Sequence, residues 1–282
     1  FLQTLYGMAD LFIIGQFNAV DGITAVSNGS QVMHMLTAIL VGLAMGVTVS
    51  ISHAVGAENH TLVERTIGNT ITLFACISIV STFLLLIFVK PLVVLLNVPQ
   101  EAMTGTVQYL VICFIGIPFI TAYNIISSIY RGLGDSKSPM YIIAIACLLN
   151  IILDYIFIGS FHMGPIGAAL GTTVSQSVSV IIALISMKYR TSDIHIKKED
   201  LHLQSQVFKH ILKVGFPVAI QDGCVQIAFM IITIIANSRG LNDAAAVGIV
   251  EKMITAIFII PSTMLATVSA LSAQNISFRS EE

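Results

Sequence analysis

The sequence predicts an all-α membrane protein, a polytopic helical bundle. Three observations carry that expectation: an apolar composition, long apolar runs that recur along the whole chain, and positive charge concentrated in alternate connections. The 282 residues are 56% hydrophobic and only 10% charged, with a mean hydropathy of +0.91. A soluble domain carries about 25% charge, so this chain cannot cover its apolar surface and remain in water. The net charge of −2 and the lack of any basic patch with interleaved aromatics speak against a nucleic-acid partner. The four cysteines, Cys76, Cys113, Cys147 and Cys224, lie inside apolar runs without C-x-x-C spacing. They read as small hydrophobes, neither a disulfide framework nor a metal site.

Crossing about 30 Å of hydrocarbon takes roughly 20 helical residues. That ruler divides the sequence into eight candidate spans at about 1–17, 30–53, 66–89, 105–130, 139–159, 165–187, 211–236 and 245–272. The first is short, about 25 Å at 1.5 Å per residue. The sequence opens at Phe1 inside an apolar run, shows no signal peptide and closes at SFRSEE, so it reads as an internal piece of a longer protein. Pro118 and Pro261 fall inside spans, where each frees a backbone carbonyl and favours a kink.

The connections carry turn chemistry. In RGLGDSKSP, Gly132 and Gly134 suit a helix C-terminus, Asp135 or Ser136 an N-cap, and Pro139 a first turn. The longest polar stretch, 188–210, reads as a linker between two lobes. The expected division is a six-helix lobe over 1–190, a cytoplasmic linker over 191–210, and the start of a second lobe over 211–282. Arg65, Arg131, Lys137, Lys188, Arg190, Lys197, Lys198, Lys209 and Lys213 fall in one set of connections; the intervening set has Lys90 and Arg239. The positive-inside rule makes the first set cytoplasmic. Both ends of the chain then face the cytoplasm, in a cell (inner) membrane. A faint same-direction repeat pairs NAVDGITAVSNGSQV with RGLNDAAAVGIVEKM, a device of transporters.

Three acids lie within apolar spans: Asp10, Asp154 and Asp222. A charge at the bilayer centre costs about 2.5–3.5 kcal/mol on insertion scales. Such residues are expected to face a cavity or one another. Asp154 shares a helix face with Asn150, four residues earlier. A carboxylate with an amide carbonyl supplies hard oxygen ligands suited to sodium. The same carboxylate could carry a proton. The competing reading is a hydrogen bond that only holds helices together. Asp10, in LYGMADLFIIG, could merely reach interfacial water. Asp222 follows Pro217 and shares a face with Gln226; both are candidate substrate contacts, although Asp222 could instead be an interfacial residue near Lys213. Glu251 and Lys252 read as an interfacial pair. His34 and His53 have no second ligand one turn on, so no metal site is expected beyond a possible sodium ion at Asp154. G-x-S-x-G, H-E-x-x-H and phosphate-cradling loops are absent, which argues against an enzyme.

These motifs together resemble the multidrug and toxic compound extrusion (MATE) family. The resemblance runs from residue 1 to about 275 through LYGMADLFIIGQF, GLAMGVTVSISHAVGA, YRGLGDSKSP with NIILDYIFIG, GPIGAALGTTVSQ and LKVGFPVAIQ. It implies a two-lobe fold, with about eight transmembrane helices present here of an expected twelve. It further implies exchange of small organic cations for sodium ions or protons, with no other cofactor, by a monomer in the lipid bilayer. The family's cation site carries over to Asp10, Asn124, Asn150, Asp154 and Thr172. His53 stands where a Gln is common, and the family's Glu in the seventh helix falls near Val225, with Asp222 close by. Alternatives are a lipid-linked sugar flippase, which should line its cavity with Arg residues, and a non-transporting truncated fragment.

Overall fold

A computed structural model describes residues 2–190 and 204–239, and between 254 and 275 the residues 254, 257–258, 260–261, 263–265 and 267–275. The helices are α1 (Leu2–Phe17), α2 (Val20–Gly56), α3 (His60–Leu95), α4 (Gln100–Ile115), α5 (Ile117–Gly132), α6 (Lys137–Asp154), α7 (Pro165–Arg190) and α8 (Ser205–Arg239). A π-helical turn, Tyr155–Ser160, extends α6, and the described residues of 254–275 are helical. No strand occurs among the described residues. Helices α2, α3, α7, α8 and α6 with its π turn are each long and apolar enough to cross a membrane, and α4 with α5 forms a sixth, bent span. At 16 residues α1 is shorter than those spans.

Helix α2 begins well before the expected start at 30. Its 37 residues extend about 55 Å, more than the hydrocarbon needs. The stretch DGITAVSNG, expected as a connection, is therefore helical. Its glycines are used for packing: a Cβ on Gly29 would overlap the ring of Tyr109. The residues 240–253, including the second copy of the faint repeat and Glu251–Lys252, lie outside the described residues.

The expected span 105–130 is broken at Gly116, where α4 and α5 meet with a 49° bend. Pro118 has no N–H to offer the Phe114 carbonyl. That carbonyl accepts from a backbone N–H at the C-terminal cap of α4 and from Thr82 Oγ1 of α3 at 3.3 Å. The kink thus has a sequence cause and a tertiary partner.

The cap of α6 falls where the turn chemistry placed it. Asp135 Oδ1 accepts from the Lys137 and Ser138 amides at 3.0 and 3.1 Å, opening α6. Asn59 Oδ1 accepts from the Leu62 amide and opens α3. Between the π turn and α7 the chain reverses through left-handed residues, His162 (φ 52°) and Gly164 (φ 57°). Helices reach into the polar stretch 188–210 from both ends: Lys188–Arg190 belong to α7 and Ser205–His210 to α8. The Gln204 amide is tied to the buried Asn69 Oδ1 of α3 at 2.6 Å.

Helix α6 shows how the bundle sorts its faces. Tyr141, Ile145, Leu148 and Ile152 form an exposed stripe, while Ile143, Cys147, Asn150 and Asp154 are buried. The exposed stripe is apolar, as lipid contact requires. The polar residues therefore point into the protein. Helix α8 joins through a seam of small residues. A Cβ on Gly46 would strike the Ile211 carbonyl, and one on Gly42 would come 2.6 Å from the Ala219 Cα. Backbones this close leave no room for larger side chains.

Candidate functional site

Helices α1, α6 and α7 pack on one another, and each contributes a polar side chain to one buried cluster. Asp10 of α1 is 2% exposed, Asn150 of α6 is 1% and Asp154 is 0%. Asp10 lies within interaction range of Asp154, Thr172 and Asn150. Thr172 makes the well-formed contact: its Oγ1 donates to Asp10 Oδ2 at 3.3 Å. Asp10 Oδ1, both Asp154 oxygens and both polar atoms of the Asn150 amide are buried with no hydrogen-bond partner among the described residues.

Such atoms are unusual. Most buried polar side-chain atoms are bonded, and each that is not costs about 1–3 kcal/mol. Two facing carboxylates are costlier still, because both cannot remain ionised in a low dielectric without a positive partner. A shared proton or a small cation would satisfy the set. The donors are two carboxylates, an amide oxygen and a hydroxyl, all hard oxygen ligands, and they fit sodium or a proton rather than a soft transition metal.

Four of the five predicted cation-site residues, Asp10, Asn150, Asp154 and Thr172, converge. Asn124 is buried on α5, but its amide N–H donates to the Ile120 carbonyl of its own helix at 2.8 Å. Asp222 and Gln226 are half-buried on α8. That helix lies chiefly against α2 and α3, so it carries them apart from the acidic cluster.

Local chain geometry positions the acids. Asp154 is the last α-helical residue before the π turn. Such turns insert a residue into the helical register and recur at functional positions. Opposite it, Gly167 and Gly171 form a G-x-x-x-G face on α7. A Cβ on Gly167 would lie 3.1 Å from Phe157 of the π turn, and one on Gly171 would overlap Asp154 Oδ1. The sequence reasoning did not single out Gly171, which lies against Asp154, although the G-x-x-x-G spacing is visible in GPIGAALG. It also missed Tyr109, whose hydroxyl pairs with Ser30 Oγ at 3.1 Å and lies within electrostatic range of Asp10. One tyrosine in an apolar run carries no signal.

Membrane-spanning helices around a buried cluster of acids define a multi-pass membrane protein, and intramembrane carboxylates of this kind mark ion and substrate paths. The chain belongs to the MatE family, whose profile matches residues 1–156. It is 24% identical over 282 residues to "Probable multidrug resistance protein YoeA" of Bacillus subtilis, covering 98% of this chain and 61% of that protein. It is 30% identical over 225 residues to "Probable multidrug resistance protein NorM" of Thermotoga maritima, covering 78% and 48%. A solved structure described as the outward-facing conformation of a multidrug resistance MATE family transporter superposes with a TM-score of 0.85 at 24% identity, over 99% of this chain and 62% of that one. The chain spans less than two thirds of the length of these relatives.

Proposed function

We propose that the protein carrying this chain is a secondary antiporter that exports small organic cations in exchange for sodium ions or protons. The observation that carries this reading is the pair Asp10 and Asp154, brought from different helices to 2% and 0% exposure, with three of their four oxygens unpartnered. Enclosure this complete suits a proton or a dehydrated ion and excludes a drug-sized cation. The acids therefore take the coupling ion, with Asn150 and Thr172 as neutral oxygen donors; Asn124, the fifth residue of the expected set, donates its side-chain N–H within its own helix. Asp222 and Gln226 are the candidates for the organic cation.

In this reading 1–190 is the first lobe, 191–210 the cytoplasmic linker and 211–282 the start of a second lobe. Ion entry changes the charge of the first lobe. That favours one of two arrangements of the lobes and lowers affinity for the organic cation. The coupling cannot exceed the ion's differential affinity for the two arrangements. The protein acts as a monomer in the cell (inner) membrane, with both ends of this piece cytoplasmic and no cofactor besides the coupling ion.

The test is efflux of a cationic dye from vesicles, driven separately by a sodium gradient and a pH gradient. Asp154→Asn should abolish efflux driven by the coupling gradient; unchanged efflux would overturn the assignment. The competing reading, a piece that does not transport, is separated by assaying this chain beside the same chain extended by its downstream sequence.

A further inference from the structure

We propose that Gly171 is a positioning residue of the cation site: by lacking a side chain it sets where the Asp154 carboxylate stands. The inference rests on the reading of Asp10 and Asp154 as the ion-holding pair, and goes beyond it by assigning a residue without polar side-chain atoms to the site.

The two glycines of the α7 face meet different things. A Cβ at Gly167 would come within 3.1 Å of the Phe157 backbone and 3.2 Å of Ile158 Cγ1, both parts of the π turn. Gly167 therefore serves helix packing. One turn on, the atom in the way at Gly171 is Asp154 Oδ1, with Asp154 Cγ at 3.3 Å and Asn150 Nδ2 at 3.6 Å. No backbone atom is among these three nearest neighbours. The residue pressed against Gly171 is fully buried, and neither of its oxygens has a hydrogen-bond partner. So the G-x-x-x-G face divides its work: one glycine seats a helix and the other seats a carboxylate.

The chemical consequence is specific. A methyl group at 171 meets the free end of a side chain, which yields by rotating, whereas helices α6 and α7 need not move. Gly171→Ala should therefore leave the fold in place and turn the Asp154 carboxylate away from α7, changing its distance to Asp10 and Asn150. Residues that orient an ion's ligands typically change its affinity by about 10–100-fold when altered.

The experiment titrates the purified protein with sodium alone and with pH alone, following the carboxyl stretch by infrared difference spectroscopy beside thermal unfolding. Gly171→Ala should shift the half-point of the carboxyl response by about tenfold in ion concentration or more. Gly167→Ala should lower the unfolding temperature and leave the half-point unchanged. Equal shifts in both variants, or none in either, would reduce Gly171 to packing and overturn the proposal. Should Gly171→Ala fail to fold, Asp154→Glu leaves α7 intact and drives a longer acid against the same wall. It should shift the half-point by a similar factor, and a wild-type response would overturn the proposal. If Asp154→Asn keeps the wild-type response, the ion-site reading itself is wrong, and the role of Gly171 falls with it.

Discussion

Thr172 Oγ1 donates to Asp10 Oδ2 across 3.3 Å, tying α7 to α1 between residues 162 apart in sequence. A hydrogen bond to a charged group contributes about 1.5–3 kcal/mol. Thr172→Val should therefore shift the half-saturating concentration of the coupling ion by about tenfold or more and slow coupled efflux, while Thr172→Ser should retain both. Dye efflux at graded sodium and pH checks this.

Asp10 and Asp154 lie within interaction range of each other, and under the proposed function one ion must balance both charges. Asp10→Asn and Asp154→Asn should each abolish gradient-driven efflux, and the double variant should be no worse than either alone. Additive losses in a double-mutant cycle would mean that the two acids act independently.

At the bend between α4 and α5, Thr82 Oγ1 donates to the Phe114 carbonyl beside the backbone N–H that caps α4, where Pro118 has no N–H to give. Thr82→Val should lower stability by about 0.5–1.5 kcal/mol, the net contribution of one hydrogen bond to a carbonyl that keeps its backbone partner. In a Pro118→Ala background the same change should cost much less, because the backbone N–H restored at position 118 can then reach the Phe114 carbonyl. Thermal unfolding in detergent reads both variants.

At the end of the bundle where α2 and α5 finish, the Gly132 carbonyl accepts from Ser52 Oγ and from Gln274 Nε2, each at 3.3 Å. Gly56 lies against the backbone of Gln274 so closely that a Cβ there would overlap the Gln274 carbonyl. A cavity of about 450 Å³ lies beside this contact, lined by Val55, Leu133 and Leu271 among others. Gln274→Ala should loosen the closure. A cysteine introduced at Leu133 should then label roughly fivefold faster, the effect of about 1 kcal/mol. An unchanged rate would show that the glycine contact alone holds this end.

The orientation taken from positive charge has a direct check. In a cysteine-free background, a cysteine at His162 should react with an impermeant thiol reagent added outside cells, and one at Asp135 should not. The reverse pattern would invert the topology.

Much of the fold was legible in the sequence. Hydrophobic length located every described span to within a few residues at most boundaries, because the bilayer allows few other structures. The exceptions are instructive. The early start of α2 was hidden because DGITAVSNG looks like a turn; in the fold this stretch is helical and its Gly29 packs against the ring of Tyr109. The broken span was foreshadowed by Pro118, but its angle and its Thr82 partner were not.

For the site, the sequence by itself determined which groups could hold a charge in the membrane: Asp10, Asn150 and Asp154 stand out because an ionisable or amide side chain in an apolar run needs a partner. The resemblance added Thr172 and Asn124 to that set; only the tertiary structure decided that α1, α6 and α7 bring Asp10, Asn150, Asp154 and Thr172 into one buried cluster, that the Asn124 side-chain N–H is used within its own helix, and that Gly171 bounds the space of Asp154. The reason is physical. Cost of burial is a property of each residue and its neighbours along the chain, whereas pairing depends on how helices pack, and packing is set by small residues whose spacing names a face but not what that face will meet.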